Sequence, residues 1–215
     1  MSVSDKDGCS ALHRAAESGC CHCVRSLLER NSLANAIDRR GNSPLHKAIR
    51  NNHSNATAEI LIAGADPDAS GENGLKAIHL AAMRGNPEIL SLVMMTLLER
   101  KSNFVIEGRA ADGEDVLSLA IKSNSLDCVE ILVEIAGLQV RKRHILIAKE
   151  AGSPSVWKML QREYEEQQKN GRNAATHDRQ SHLTTLRMKY QSSCGSEYAS
   201  GDHGTEYFSN RLHAK

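Results

Sequence analysis

The chain has 215 residues, 40% of them hydrophobic but only 3% aromatic, so it can bury a core and that core must be aliphatic. Its 27 Lys and Arg are balanced by 26 Asp and Glu. Such a balance supplies no global field for nucleic acid or an anionic membrane, and charge-driven recognition has to come from a local patch. The first eight residues hold no apolar run of the secretory kind, and the longest apolar stretch, Ile89 to Leu98, is too short to cross a bilayer. Six cysteines, Cys9, Cys20, Cys21, Cys23, Cys128 and Cys194, are clustered irregularly rather than set out as the framework of a secreted mini-protein. The expectation is a soluble chain of the cytosol, or of the nucleus, without membrane insertion.

A period of 33 residues organises most of the chain. Gly8-Cys-Ser-Ala-Leu-His-Arg-Ala-Ala16 returns as Gly41-Asn-Ser-Pro-Leu-His-Lys-Ala-Ile49 and as Gly74-Leu-Lys-Ala-Ile-His-Leu-Ala-Ala82, with His13, His46 and His79 in register. A fourth copy, Gly113-Glu-Asp-Val-Leu-Ser-Leu-Ala-Ile121, comes 39 residues after the third, with Ser118 in the histidine position. A fifth and partial copy starts at Ile145. In chain order this gives a lead (1–4), repeats at about 5–37, 38–70, 71–109 and 110–138, a partial cap at 139–168, and a tail at 169–215.

In repeat one, Ser10 can cap a helix that is apolar at Leu12, Ala15 and Ala16, Gly19 can end it at positive φ, and a second helix carries Val24, Leu27 and Leu28. Repeat two follows the same plan, with Ser43 as cap, Pro44 in the first helical position, Leu45, Ala48 and Ile49 as the apolar stripe, and Asn52 as the stop. In repeat three Lys76 is not a capping residue, and Gly85 ends the first helix. The stripe of its second helix, Ile89, Leu90, Val93, Met94, Leu97 and Leu98, runs one turn further than in the other units. The extra residues, about 96–111, lengthen that helix and the next connection; they read either as drift in a surface loop or as an element beside a binding face. Repeat four has Asp115 as cap, Asn124 as stop and Val129, Leu132 and Val133 as its second stripe. Ser153 and Pro154 open a last helix with Val156, Trp157, Leu160 and Tyr164 on one side and polar residues on the other, the composition of a terminal cap. From Lys169 onward aliphatic residues are sparse, which predicts a disordered tail.

These units resemble the ankyrin repeat, whose signature runs Asp-x-x-Gly-x-Thr-Pro-Leu-His-x-Ala-Ala. Repeat two carries most of it, with Asp38, Gly41, Ser43, Pro44, Leu45, His46 and Ala48, and it closes on Gly64-Ala65-Asp66. The resemblance covers about residues 5 to 163. It implies an all-α solenoid of stacked helix-turn-helix units with β-hairpin fingers, and histidines that bridge backbone groups between repeats. It also implies protein binding as the function.

Chemical sites are not expected. Repeats packed roughly 10 Å apart cannot gather His13, His46 and His79 around one ion, whose ligands must lie within about 2.1 Å of it. The run Cys20-Cys21-His22-Cys23 opens the second helix of repeat one. On a helix these four side chains diverge, so no metal is expected there, and Cys23 reads as a small buried hydrophobe. Arg141-Lys142-Arg143-His144 reads as a solvated finger of the fifth unit or as a nuclear import signal. No nucleotide-binding loop, nucleophile elbow or metalloprotease motif is present, so neither an enzyme nor a small-molecule substrate nor a cofactor is expected.

The expected function is an interaction module or adaptor, with a regulatory inhibitor that masks a transcription factor or another signalling protein as the alternative. Helical spacing from each histidine position assigns Arg14, Glu17 and Ser18 to the groove in repeat one, and Lys47, Arg50 and Asn51 in repeat two. In repeats three and four it assigns Leu80, Met83, Arg84, Leu119, Lys122 and Ser123. The finger tips add Arg39, Arg40, Glu72 and Asp112 among others. The candidate protein-binding residues are therefore Arg39, Arg40, Lys47, Arg50, Leu80, Met83, Arg84 and Lys122. Basic side chains beside apolar ones predict a partner protein with an acidic segment and an apolar anchor, and no direct contact with nucleic acid. The alternative is that Arg39, Arg40, Lys47 and Arg50 form only a solvated face.

Overall fold

A computed structural model describes residues 4–30, 33–100, 110 and 113–169. The expectations for most of the 96–111 insertion, for the finger tip at Asp112 and for the tail beyond Lys169 lie outside the described residues.

Ten α-helices occur in pairs among the described residues: α1 (Ala11–Ser18) with α2 (Cys21–Glu29), α3 (Pro44–Arg50) with α4 (Ser54–Ile62), and α5 (Ala77–Arg84) with α6 (Pro87–Glu99). They continue with α7 (Val116–Lys122) and α8 (Leu126–Glu130), the latter prolonged by a π-helical turn (Ile131–Ile135), and with α9 (Lys142–Glu150) and α10 (Pro154–Lys169). The first helices α1, α3, α5, α7 and α9 pack side by side in one layer, and α2, α4, α6, α8 and α10 in a second. This is an all-α stack of paired helices.

Local chemistry sets each boundary. Asp115 Oδ1 accepts the Ser118 N–H at 2.9 Å to start α7, and Pro44 occupies the first position of α3, where its missing N–H costs nothing. Gly19, Asn52, Gly85 and Asn124 all take positive φ just after the first helices. The links into α1, α3, α5 and α7 are single tight turns rather than extended strands. In the second, Gly41 N–H returns to Asp38 O at 3.0 Å and Asp38 N–H to Asn42 O at 2.9 Å, with Gly41 in the left-handed region. The same pair of bonds closes the turns at Gly8, Gly74 and Gly113.

The aliphatic stripes merge into one core that runs from Leu12 to Leu160. Small alanines, Ala16, Ala48, Ala81, Ala82 and Ala120, are fully or almost fully buried and let neighbouring first helices approach closely. The extra turn of α6 is anchored by Leu97, which is fully buried. Each large aliphatic side chain removed from water contributes about 1.5–3 kcal/mol. Helix α10 buries Val156, Met159 and Leu160, with Trp157 and Tyr164 half-buried beside them.

Candidate functional site

The register histidines tie one repeat to the next. In α1 the Ser10 N–H donates to His13 Nδ1 at 3.1 Å, which leaves the ring proton on Nε2, and Nε2 donates to Asn42 O at 3.0 Å in the next repeat. His46 does the same, accepting from Ser43 N–H at 3.2 Å and donating to Leu75 O at 3.2 Å. His79 Nδ1 accepts the Lys76 N–H at 3.3 Å, the same bond that His13 and His46 take from Ser10 and Ser43. The fifth unit departs from the expectation. Arg141-Lys142-Arg143-His144 is not a finger, because α9 starts at Lys142. His144 is buried in the register position, with Nδ1 accepting the Arg141 N–H at 3.1 Å. Its Nε2 turns back to Asp115 Oδ2 of repeat four at 3.1 Å, where Arg143 also pairs. Burial pushes the Asp115 carboxyl up, but bonds from His144 and Ser118 outweigh it and hold the group well below the usual carboxylate range.

The turns and the first helices share one face, and ion pairs join them. Arg14 reaches Asp5 at 2.6 Å and Asp7 at 3.2 Å in its own turn, and Glu17 at 2.8 Å. Lys47 reaches Asp38 at 3.0 Å; Glu72 takes Arg50 at 3.0 Å and Arg40 at 3.6 Å; Lys122 pairs with Glu114. Repeat two is thus less basic than its cations alone suggest. Lys47 and Asp38 are both largely covered. Burial pushes the Asp38 carboxyl up, yet the Lys47 ammonium and the N–H groups of Asn42 and Arg40 bring it below its ordinary value. Lys47 is therefore spent on holding the second turn to α3. The Arg50 guanidinium likewise keeps the Glu72 carboxyl below its usual range. Sequence reasoning placed Glu72 at a finger tip without seeing it as the counter-ion of two arginines. The signal was its sign, opposite to Arg50 one repeat earlier.

Two positions of the first helix behave differently. Directly after the histidine stand Arg14, Lys47, Leu80 and Leu119, and in the inner repeats these are covered. Leu80 is 2% exposed and Leu119 4%, so neither offers the apolar groove surface expected of it. That position lies in the helix's first turn, wedged between neighbouring helices. Three residues on stand Glu17, Arg50, Met83 and Lys122, one per repeat, and all reach the surface, Met83 with 42% of its area exposed. Arg84 beside Met83 and Arg39 on the second turn are exposed and make no ion pair among the described residues. Leu33 and Ile37, in the segment leading to that turn, are also exposed and were not singled out by the sequence.

A family model described as ankyrin repeats matches the chain over residues 1–71 and 54–144. The chain belongs to the ankyrin-repeat family. Over 144 residues, 64% of its length, this ankyrin-repeat chain is 32% identical to the Nuclear factor NF-kappa-B p105 subunit of Rattus norvegicus. Over 86 residues, 40% of its length, it is 38% identical to the B-cell lymphoma 3 protein homolog of Mus musculus. It is also 29% identical over 126 residues, 57% of its length, to Transient receptor potential cation channel subfamily A member 1 of Homo sapiens. These alignments span only 14%, 19% and 11% of those proteins, so the chain corresponds to less than a fifth of each.

The cysteine cluster of the first ankyrin repeat is arranged differently from the expectation. Cys20 and Cys23 are joined in a disulfide, and Cys23 is exposed rather than packed as a small hydrophobe. Helical divergence does not separate this pair, because Cys20 is the N-cap of α2. Its backbone is not helical (φ −72°, ψ 89°), and an N-cap side chain folds back over the third helical residue, here Cys23. Val24 fills the core position instead. Among the described residues no three His, Cys, Asp or Glu side chains converge as a metal site would require, and no helix is long and apolar enough to cross a membrane.

Proposed function

We propose that this ankyrin-repeat chain is a protein-interaction module or adaptor whose partner lies along the first helices and turns, across repeats two and three. The observation that carries the reading is the row Glu17, Arg50, Met83 and Lys122: an exposed methionine flanked by cations, with Arg39 and Arg84, which make no ion pair among the described residues, nearby. Such a row fits a partner segment with an apolar anchor between acidic residues. Arginine matches carboxylates in a bidentate fork, and methionine adapts to varied apolar shapes. Binding requires no cofactor or small-molecule substrate, involves no direct contact with nucleic acid, and takes place in the cytoplasm or nucleus. The chain is not an enzyme. A second reading, a regulator that masks a transcription factor, draws on the match to a protein named as a nuclear factor subunit.

The test is affinity capture of the partner followed by its titration against variants. Met83→Glu and the pair Arg39→Glu with Arg84→Glu are expected to weaken binding at least tenfold while thermal unfolding stays within about 0.5 kcal/mol of wild type. Binding of the arginine pair should also depend less on salt. Wild-type affinity in both variants, with loss on substitution of exposed residues of α4 and α6, would sink the assignment of this face.

A further inference from the structure

The cysteine pair at the start of α2 is not used by the interaction face. Its two members are bonded to each other, whereas the other cysteines among the described residues are free. Cys9 and Cys128 are buried in the stack and Cys21 is half-buried, its thiol donating to Gly19 O at 3.5 Å. Burial pushes all three thiols up, away from the reactive thiolate form. Cys23 is exposed and Cys20 only half-buried, with Cα atoms 5.3 Å apart, within the ordinary span of a disulfide. Two residues separate them, and the Cys20 sulfur accepts the Cys23 N–H at 3.3 Å, at the positive end of a nine-residue helix. That bond and the helix end hold the Cys20 sulfur over the first turn of α2, within reach of Cys23.

We propose that Cys20 and Cys23 form a reversible dithiol–disulfide site that exchanges with low-molecular-weight disulfides and thiols of the glutathione class. In the oxidising direction the Cys20 thiolate attacks one sulfur of the small disulfide. The Cys20–S–S–R bond forms and one thiolate leaves. The Cys23 thiol gives up its proton to water and attacks the Cys20 sulfur; the Cys20–Cys23 bond forms and the second thiolate leaves. Two electrons pass from the protein dithiol to the small disulfide, and the two protons end on two molecules of small thiol. Reduction is the reverse. The exposure of Cys23 keeps the bond accessible to attack, unlike that of a disulfide sealed in a core.

The test uses the full chain, equilibrated in buffers of reduced and oxidised glutathione, quenched by alkylation and read by peptide mass spectrometry. Cys20 and Cys23 should lose alkylation together. The disulfide fraction should rise from about one-tenth to about nine-tenths over a roughly hundredfold change in the glutathione quotient, as a two-electron couple demands. Cys23→Ser should trap glutathione on Cys20, whereas wild type should hold no such adduct at equilibrium. That variant changes an exposed side chain, and circular dichroism melting reports whether it folds. A pair that stays reduced at every ratio, or stays oxidised in excess reduced glutathione, overturns the proposal. So does independent glutathione attachment at each cysteine with no bond between them.

Discussion

His13 and His46 sit in one sequence position and make one set of bonds, and those bonds have a pH signature. Burial pushes both imidazoles below their ordinary value of 6.5, so the folded chain keeps them neutral while the unfolded chain takes up protons. Stability is therefore constant above that value and falls as pH drops below it, by at most about 1.4 kcal/mol per histidine per pH unit, until the folded-state value is reached. Urea denaturation at a series of pH values should show this slope, and His46→Gln should remove part of it. An unchanged slope would mean that other groups carry the dependence. Asp38 and Asp115, whose carboxyls are held low, add a second loss that begins only in the carboxylate range. Lys47 makes a further residue-scale case. Lys47→Ala leaves a buried carboxylate without its cation and should cost about 3–5 kcal/mol, far more than Arg14→Ala, which removes only exposed, solvent-screened pairs such as that with Asp5. Comparison of the two alanine variants by chemical denaturation tests that ranking.

At the scale of the element, what the sequence made legible was whatever depends on local chemistry. The caps at Ser10 and Asp115, the stops at Gly19 and Asn124 and the extra turn of α6 all follow from side-chain type and helical spacing. What escaped it depended on neighbours. Leu80 has the spacing of a groove residue but is covered by adjoining helices, and Cys20 reaches Cys23 only because the backbone before α2 is not helical. The charge of the second turn was legible, but its neutralisation by Glu72 required the next repeat to be in place. Two elements yield measurable consequences. Leu97 lies in the turn that α6 adds and is fully buried, so Leu97→Ala should cost about 2–5 kcal/mol, as truncation of a core leucine does. A loss under about 1 kcal/mol would show that this turn packs only loosely. At Gly19 a Cβ would stand 2.5 Å from His53 Nδ1, on a ring whose Nε2 donates to Glu17 O at 3.1 Å, and the backbone there has φ +71°. Gly19→Ala combines left-handed strain with displacement of that ring, and about 1–3 kcal/mol should be lost in thermal unfolding.

Over the whole molecule, stability is shared between neighbours in a line, because among the described residues the main helix contacts run within a repeat and to the next one. The line has a direction because each inner unit meets the one before it on one side and the one after it on the other, whichever way its histidine bonds: His13 and His46 reach forward, and His144 reaches back to Asp115. A directed line of similar units has the geometry of a growing polymer, in which the last face of one molecule meets the first face of another and the contact never closes on itself. Among the described residues, the last helix, α10, exposes Lys158, Arg162, Glu165 and Lys169, a charged side unsuited to such a contact. Leucine in place of Lys158, Arg162 and Glu165 is expected to convert discrete particles into chains that lengthen with concentration, seen as rising light scattering. Scattering that stays flat would mean that the two end faces do not match. If the scattering does rise, the charged side of α10 acts as a chain stopper does in step growth.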